Sequence, residues 1–182
     1  MSYAVQGAVL APTPAGLHAA GHLRRLLLVL TAVGLALVLI AVTMPPPTQA
    51  GTLTEAQKIV RIAKSYIGAK FRIGATGYKY FDCSGFVYRV YKQAGLLRRI
   101  GGSQMRAIGY YRWFRNRGLL AGRGHVGDLI WWKKHGTIKH IGIYIGHGYA
   151  VSALINPWGV RKHTVGGIRM RLAAYGHVRL ER

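Results

Sequence analysis

The sequence predicts an α+β domain in which helices come first and pack on an antiparallel sheet, with an apolar segment ahead of them. Three observations predict it. Apolar residues recur at helical spacing in two stretches between residues 54 and 95. Beyond Gly118 the pattern shifts to short runs rich in branched and aromatic residues, separated by Gly, Pro or His-Gly turns. Residues 26–44 form an uncharged apolar run directly after Arg24 and Arg25, closed by Pro45-Pro46-Pro47. The chain therefore divides into an N-terminal segment, 1–50, and a domain, 51–182, and helices followed by strands place that domain in the α+β class.

A basic pair, an apolar core and small residues before a candidate cut make the pattern of a secretory signal, with Ala50/Gly51 as the expected cleavage point. The run is also long enough to span a bilayer, so a retained membrane anchor is the alternative. Either way the domain is expected outside the cytoplasm, because the arginines favour a cytoplasmic N-terminus. Lys58, Arg61 and Lys64 on the far side weaken that preference.

The chain carries 26 Lys+Arg and 4 Asp+Glu, and only Arg24 and Arg25 precede residue 51, so the domain keeps a formal charge of +20. The charge is spread along the segment, and a field of this sign draws a protein toward polyanions. For an exported domain the expected partners are anionic wall polymers or an anionic membrane surface. No nucleic-acid motif accompanies the charge, and no nucleic-acid partner is expected. A single cysteine excludes an internal disulfide framework and a thiolate-rich zinc site. The histidine spacings match no ligand pattern, so neither a metal nor another cofactor is expected.

Thr54 with Gln57 reads as a capping box, and Ile59, Ile62, Ala63 and Tyr66 follow at helical spacing, predicting a helix over 54–67 that ends at Gly68. Residues 69–81 read as a loop, with Gly74, Ala75 and Gly77 breaking regular structure. A second helix starts at Asp82, with Phe86, Val87, Val90, Tyr91 and Ala94 as its apolar stripe and Gly95 as its stop. Ser103 is expected to cap a third helix running to about 117, with Met105, Ile108, Tyr111 and Trp113 inward. Strands are expected at 128–133, 140–146, 149–154, 159–165 and 177–182.

Asp82 as N-cap puts Cys83 in the first turn of its helix. There a thiol sees the positive end of the helix dipole, and its pKa is expected to fall below ~8.5. Gly85 adds no side chain where a substrate would approach. A lone cysteine at a helix start is also a common packing residue, so a base decides between the two roles. His140 opens the strand HIGIYIG, where alternation puts His140, Gly142, Tyr144 and Gly146 on one face and Ile141, Ile143 and Ile145 toward the core. A histidine beside that open face suits a general base for a neighbouring thiol. His125, His135, His147, His163 and His177 sit beside glycines or charges and read as turn or surface residues.

FDCSGFVYRVYKQAGL, then GDLIWW, then HIGIYIGHG, in that order over residues 55 to 165, resembles the NlpC family of cell-wall cysteine peptidases. The resemblance implies a reduced papain-like fold and cleavage of peptide bonds in peptidoglycan stem peptides, often between D-glutamate and a diamino acid. It implies Cys83 as nucleophile and His140 as base, with Asp82 and Ser84 on the substrate side of the nucleophile. The family's third polar residue, twelve positions after the base, falls on Ser152, which is short and neutral where a His, Asn, Gln or Glu is usual; Asn156 is a nearby alternative. The family's loop tyrosine falls on Phe71, which lacks the hydroxyl, and Ile73-Gly74-Ala75 stands where Trp-Gly-Gly is usual. Both departures point to weak or altered activity. The reading expected from sequence is an exported cysteine peptidase on stem peptides working through an acyl-enzyme. A catalytically silent cationic module for wall or membrane binding is the contrasting reading, and an acyltransferase or amidase on the same scaffold is a third.

Overall fold

The computed structural model describes residues 52–182 together with Arg25, so the apolar run, the signal or anchor and the cleavage point lie outside the described residues. Helix α1, Glu55–Ser65, starts as its capping box requires: the Thr54 hydroxyl accepts from Gln57 N at 3.3 Å, and Thr54 N donates to Gln57 Oε1 at 3.1 Å. Its buried face is Ala56, Ile59, Ile62 and Ala63. Helix α2, Cys83–Ala94, runs from the Asp82 cap to Gly95, whose φ of 79° closes the helix in the left-handed region. The stripe Phe86, Val87, Val90, Tyr91 and Ala94 is buried as the spacing predicts. Between these helices two short segments, β1 (Lys70–Phe71) and β2 (Tyr80–Phe81), pair in parallel and fold the intervening loop back over the start of α2.

The third helix departs from expectation. Helix α3 is Ala107–Arg115, and its N-cap is Arg106 without a side-chain bond. Ser103 does not cap it, but instead offers its carbonyl to the Tyr110 hydroxyl at 3.2 Å. The fully buried side chains are Ala107, Tyr110 and Phe114, while three of the four expected, Met105, Tyr111 and Trp113, are half-buried and pack against the same core. Phe114 packs edge-on to Trp131, with ring centroids 5.3 Å apart, and that contact selects the face.

The remaining strands are β3 (Leu120–Ala121), β4 (Leu129–Lys134), β5 (Thr137–Gly146), β6 (Tyr149–Leu154), β7 (Gly159–Thr164) and β8 (Arg171–Gly176). They form one antiparallel sheet in the order β3-β8-β4-β5-β6-β7. The β4–β5 and β5–β6 turns carry positive φ at His135 and Gly136 and at His147 and Gly148, the conformation that two-residue hairpins favour. The expected strand at 177–182 is absent, and Arg171–Gly176 takes its place beside β4. The terminal segment is held by scattered bonds instead of a ladder: His177 N donates to Leu119 O, Val178 N to Asp128 Oδ1 and Glu181 N to Glu55 Oε2. The alternation in HVRLER therefore reflects strapping across the domain, not pairing.

The main core lies between the helices and the sheet, where Phe86, Val87, Tyr91 and Phe114 meet Trp131, Ile141, Ile143 and Val151. Each large apolar side chain there contributes about 1.5–3 kcal/mol by leaving water. The second face of the sheet is also covered, by Ile130, Trp132, Ala150 and Tyr175 with Tyr144 packed against them. The face expected to be open around His140 is thus a buried one, because Trp132 and Tyr175 are large enough to close it.

Candidate active site

Asp82 builds the turn that carries Cys83. Its Oδ1 accepts from Gly85 N at 2.6 Å and from the Ser84 hydroxyl at 2.9 Å, and its Oδ2 accepts from Gly74 N at 2.8 Å. The carboxylate therefore caps α2, fixes Ser84, which is buried, and ties down the preceding loop. Expected on the substrate side, Asp82 and Ser84 are both engaged within the chain. Gly85 is also explained by the chain itself: a Cβ there would sit 2.1 Å from Ala75 O. What approaches Gly85 is loop backbone, which Asp82 N holds by donating to Ala75 O at 3.0 Å. Phe71, in β1 opposite Phe81, packs against the main core.

Cys83 is partly buried at the first turn of α2, within reach of the Ile141 backbone N–H on β5. That contact sets the thiol one peptide unit from His140. Among the described residues no hydrogen bond joins the thiol to the imidazole; such contacts often tighten only when substrate binds. The thiol's pKa is pushed up to about 11, first by burial and then by the Asp82 carboxylate, against the N–H groups of Ile141, Ser84 and Cys83. The expected depression is not found. The carboxylate that caps the helix offsets the positive end of the dipole for the thiol next to it, and burial exceeds what remains.

His140 is 5 % exposed and Ser152 is fully buried. His140 Nε2 lies 2.8 Å from Ser152 Oγ, so Nδ1 is the ring nitrogen that Ser152 leaves open. Gly142 permits this approach, since a Cβ on it would lie 2.8 Å from Ser152 Cβ. Burial, and then the neighbouring His163, lower the His140 pKa to about 3, so the resting ring is neutral. Asn156 lies in the exposed β6–β7 turn, and Ser152 is the residue that meets His140.

The sequence reading missed His163, taken for a turn or surface residue. Its Nε2 is 2.8 Å from Ser152 Oγ and its Nδ1 is 2.8 Å from Thr164 O. The signal was present in the hairpin count. Ala150 pairs with His163 and Ser152 with Arg161, so period-two alternation puts Ser152 and His163 on one face, diagonally adjacent.

A second polar cluster gathers His125, Asp128 and His177, whose ligand-type atoms lie within 4.8 Å of one another. Asp128 is fully buried, and its oxygens already accept from His125 N (2.8 Å), His177 Nδ1 (2.7 Å), Val178 N (3.1 Å) and Arg182 (3.0 Å). With a guanidinium and three N–H donors on it, the carboxylate acts as the pin for the C-terminal segment.

The model of the NlpC/P60 family matches residues 68–175. The chain is 29 % identical over 116 residues to a probable endopeptidase p60 of Listeria grayi, covering 64 % of this chain and 21 % of that protein. It is 29 % identical over 109 residues to a gamma-D-glutamyl-L-lysine dipeptidyl-peptidase of Bacillus subtilis, covering 58 % of this chain and 33 % of that one. The chain thus spans a fifth to a third of the length of these relatives. In fold it is similar to the crystal structure of the NlpC/p60 domain of the peptidoglycan hydrolase SagA, with a TM-score of 0.52 at 24 % identity, covering 67 % of this chain and 97 % of that domain. With a cysteine at a helix start against the strand that bears the histidine, and with the family match spanning both, the chain belongs to the NlpC/P60 family.

Proposed function

We propose that this protein is an exported peptidoglycan hydrolase, a cysteine endopeptidase that cuts peptide bonds in stem peptides. The observations that support the proposal are the Cys83 thiol at the main-chain N–H of Ile141, the residue after His140, and a neutral His140 whose Nε2 meets Ser152. The names of the Listeria and Bacillus relatives, an endopeptidase and a glutamyl-lysine dipeptidyl-peptidase, support the substrate class.

With the thiol up at about 11 and the imidazole down at about 3, the resting pair is thiol and imidazole rather than an ion pair. Proton transfer then accompanies attack. His140 Nδ1 takes the S–H proton as sulfur bonds to the peptide carbonyl carbon, and the carbonyl π electrons move onto oxygen. The N–H of Cys83 at the open end of α2 is the donor placed for that oxyanion. Collapse expels the amine, which takes the proton back from His140, and leaves a thioester on Cys83. Water, deprotonated by His140, then releases the acid and restores the thiol.

The formal +20 of the domain would hold it on an anionic wall or membrane surface outside the cytoplasm. The contrasting reading, a silent binding module, is favoured by one observation: the thiol and imidazole share no hydrogen bond among the described residues. Incubating the full chain with purified peptidoglycan separates the two. Release of new amino termini, lost in Cys83→Ala, supports the peptidase; wall binding without release supports the module.

A further inference from the structure

We propose that His163 is a positioning residue of this site, holding the Ser152 hydroxyl so that Nδ1 of His140 stays free to take the Cys83 proton. The proposal rests on the assignment of Cys83 and His140 above and extends it to a residue on the next strand.

Thr164 O can only accept, so His163 Nδ1, 2.8 Å away, carries a hydrogen. Burial lowers the His163 pKa, with the Thr164 carbonyl opposing and Arg161 adding to the shift, so the ring is neutral and its Nε2 can only accept. The proton between His163 Nε2 and Ser152 Oγ must then be the serine's. A hydroxyl has one proton, so toward His140 Ser152 can only accept. His140 Nε2 is therefore the N–H, and its Nδ1 holds the lone pair. Trp132 fixes both rings, with its centroid 5.3 Å from that of His140 and 5.5 Å from that of His163, and its own N–H donates to Val165 O at 2.8 Å. Ser152 is sealed from water in the intact chain, so its hydroxyl has the two imidazoles as its side-chain partners.

This chain answers the weakness of a neutral third residue. When His140 becomes an imidazolium, the Ser152 oxygen faces it with its own O–H drawn toward His163, and the aligned dipoles favour the charge. Without His163 the hydroxyl's remaining acceptor is His140 Nε2 itself. The ring proton then moves to Nδ1 and points at the thiol, and the base is lost. The titratable or charged groups facing this line are His140 from β5, Arg161 from β7 itself and, at the thiol, Asp82 from the start of α2. From β4 the contact is Trp132, which does not titrate.

The test is the rate at which iodoacetamide alkylates Cys83 in the full chain, followed against pH. In the unmodified protein the rate should stay level between about pH 7 and 8, where both rings are neutral. His163→Ala should be about ten- to a hundredfold slower and should lose the level stretch, its rate instead tracking thiol ionisation. His163→Gln, whose Oε1 can accept the serine proton, should recover most of the rate. Ser152→Ala should lose as much as His163→Ala, and the double variant no more than either. A wild-type rate in His163→Ala, losses that multiply in the double variant, or a glutamine no better than alanine would overturn the proposal. If His163→Ala does not fold, His163→Gln is compared with His163→Lys, which can only donate; equal rates overturn it. The readout uses no peptidoglycan, so a chain that shows this pattern yet releases no stem peptide refutes the proposed function alone.

Discussion

The buried, neutral His140 makes the domain sensitive to acid, and the size of the effect follows from its pKa of about 3 in the fold. In the unfolded chain an imidazole titrates near its ordinary 6.5. Between those values the unfolded state binds the proton and the folded state does not, so stability rises with pH across the window and falls as pH drops. Full stabilisation from this group is present above about pH 7. Linkage gives a loss of about 2 kcal/mol by pH 5 and about 3 kcal/mol by pH 4 from this residue alone. His163, lowered in the same direction by its own burial, adds to the effect. The assay is urea unfolding at a series of pH values, comparing the unmodified chain with His140→Gln. Subtraction removes the other histidines and the four acids of the domain. A stability gap between the two proteins that changes by less than about 1 kcal/mol from pH 7 to pH 4 would refute the neutral, buried base.

Two further outcomes follow from the nucleophile's turn. Asp82→Asn should keep much of the cap while removing the charge, and the Cys83 pKa should fall from about 11 by the share due to that carboxylate; a titration of thiolate absorbance reads this, and an unmoved pKa contradicts it. Gly85→Ala should destabilise by about 1–3 kcal/mol, because the new Cβ meets Ala75 O at 2.1 Å and the Asp82-bound loop must shift. Urea midpoints check the cost, and activity should fall with it as the loop moves off Cys83.

What was legible in the sequence was the part governed by local rules. The Thr54 and Asp82 caps, the α2 stripe and the Gly95 stop all depend on residues within a few positions of one another, and the structure has them as the spacing implies. The resemblance placed Cys83 and His140, and the structure puts one at a helix start and the other on the facing strand. What was not legible depends on partners distant in the chain. The start of α3 is set by Tyr110 and Phe114 docking on the sheet, not by Ser103. Strand β8 has the sequence RLAAYG, without β-branched residues, and is a strand because β3 and β4 flank it. His163 needed the β6–β7 register before its neighbour Ser152 could be seen. The direction of the Cys83 shift also turns on tertiary structure, because burial and the charge of the cap outweigh the helix dipole.

The proposed chemistry puts a covalent acyl group on one sulfur. Acid-quenching the full chain within seconds of mixing with a stem-peptide substrate, then mapping peptides by mass spectrometry, tests it most directly. A thioester adduct is expected on the peptide containing Cys83, with the mass of the substrate's acyl half, and none in Cys83→Ala. Stem-peptide cleavage that proceeds undiminished in Cys83→Ala, with no adduct on the unmodified chain, would contradict it.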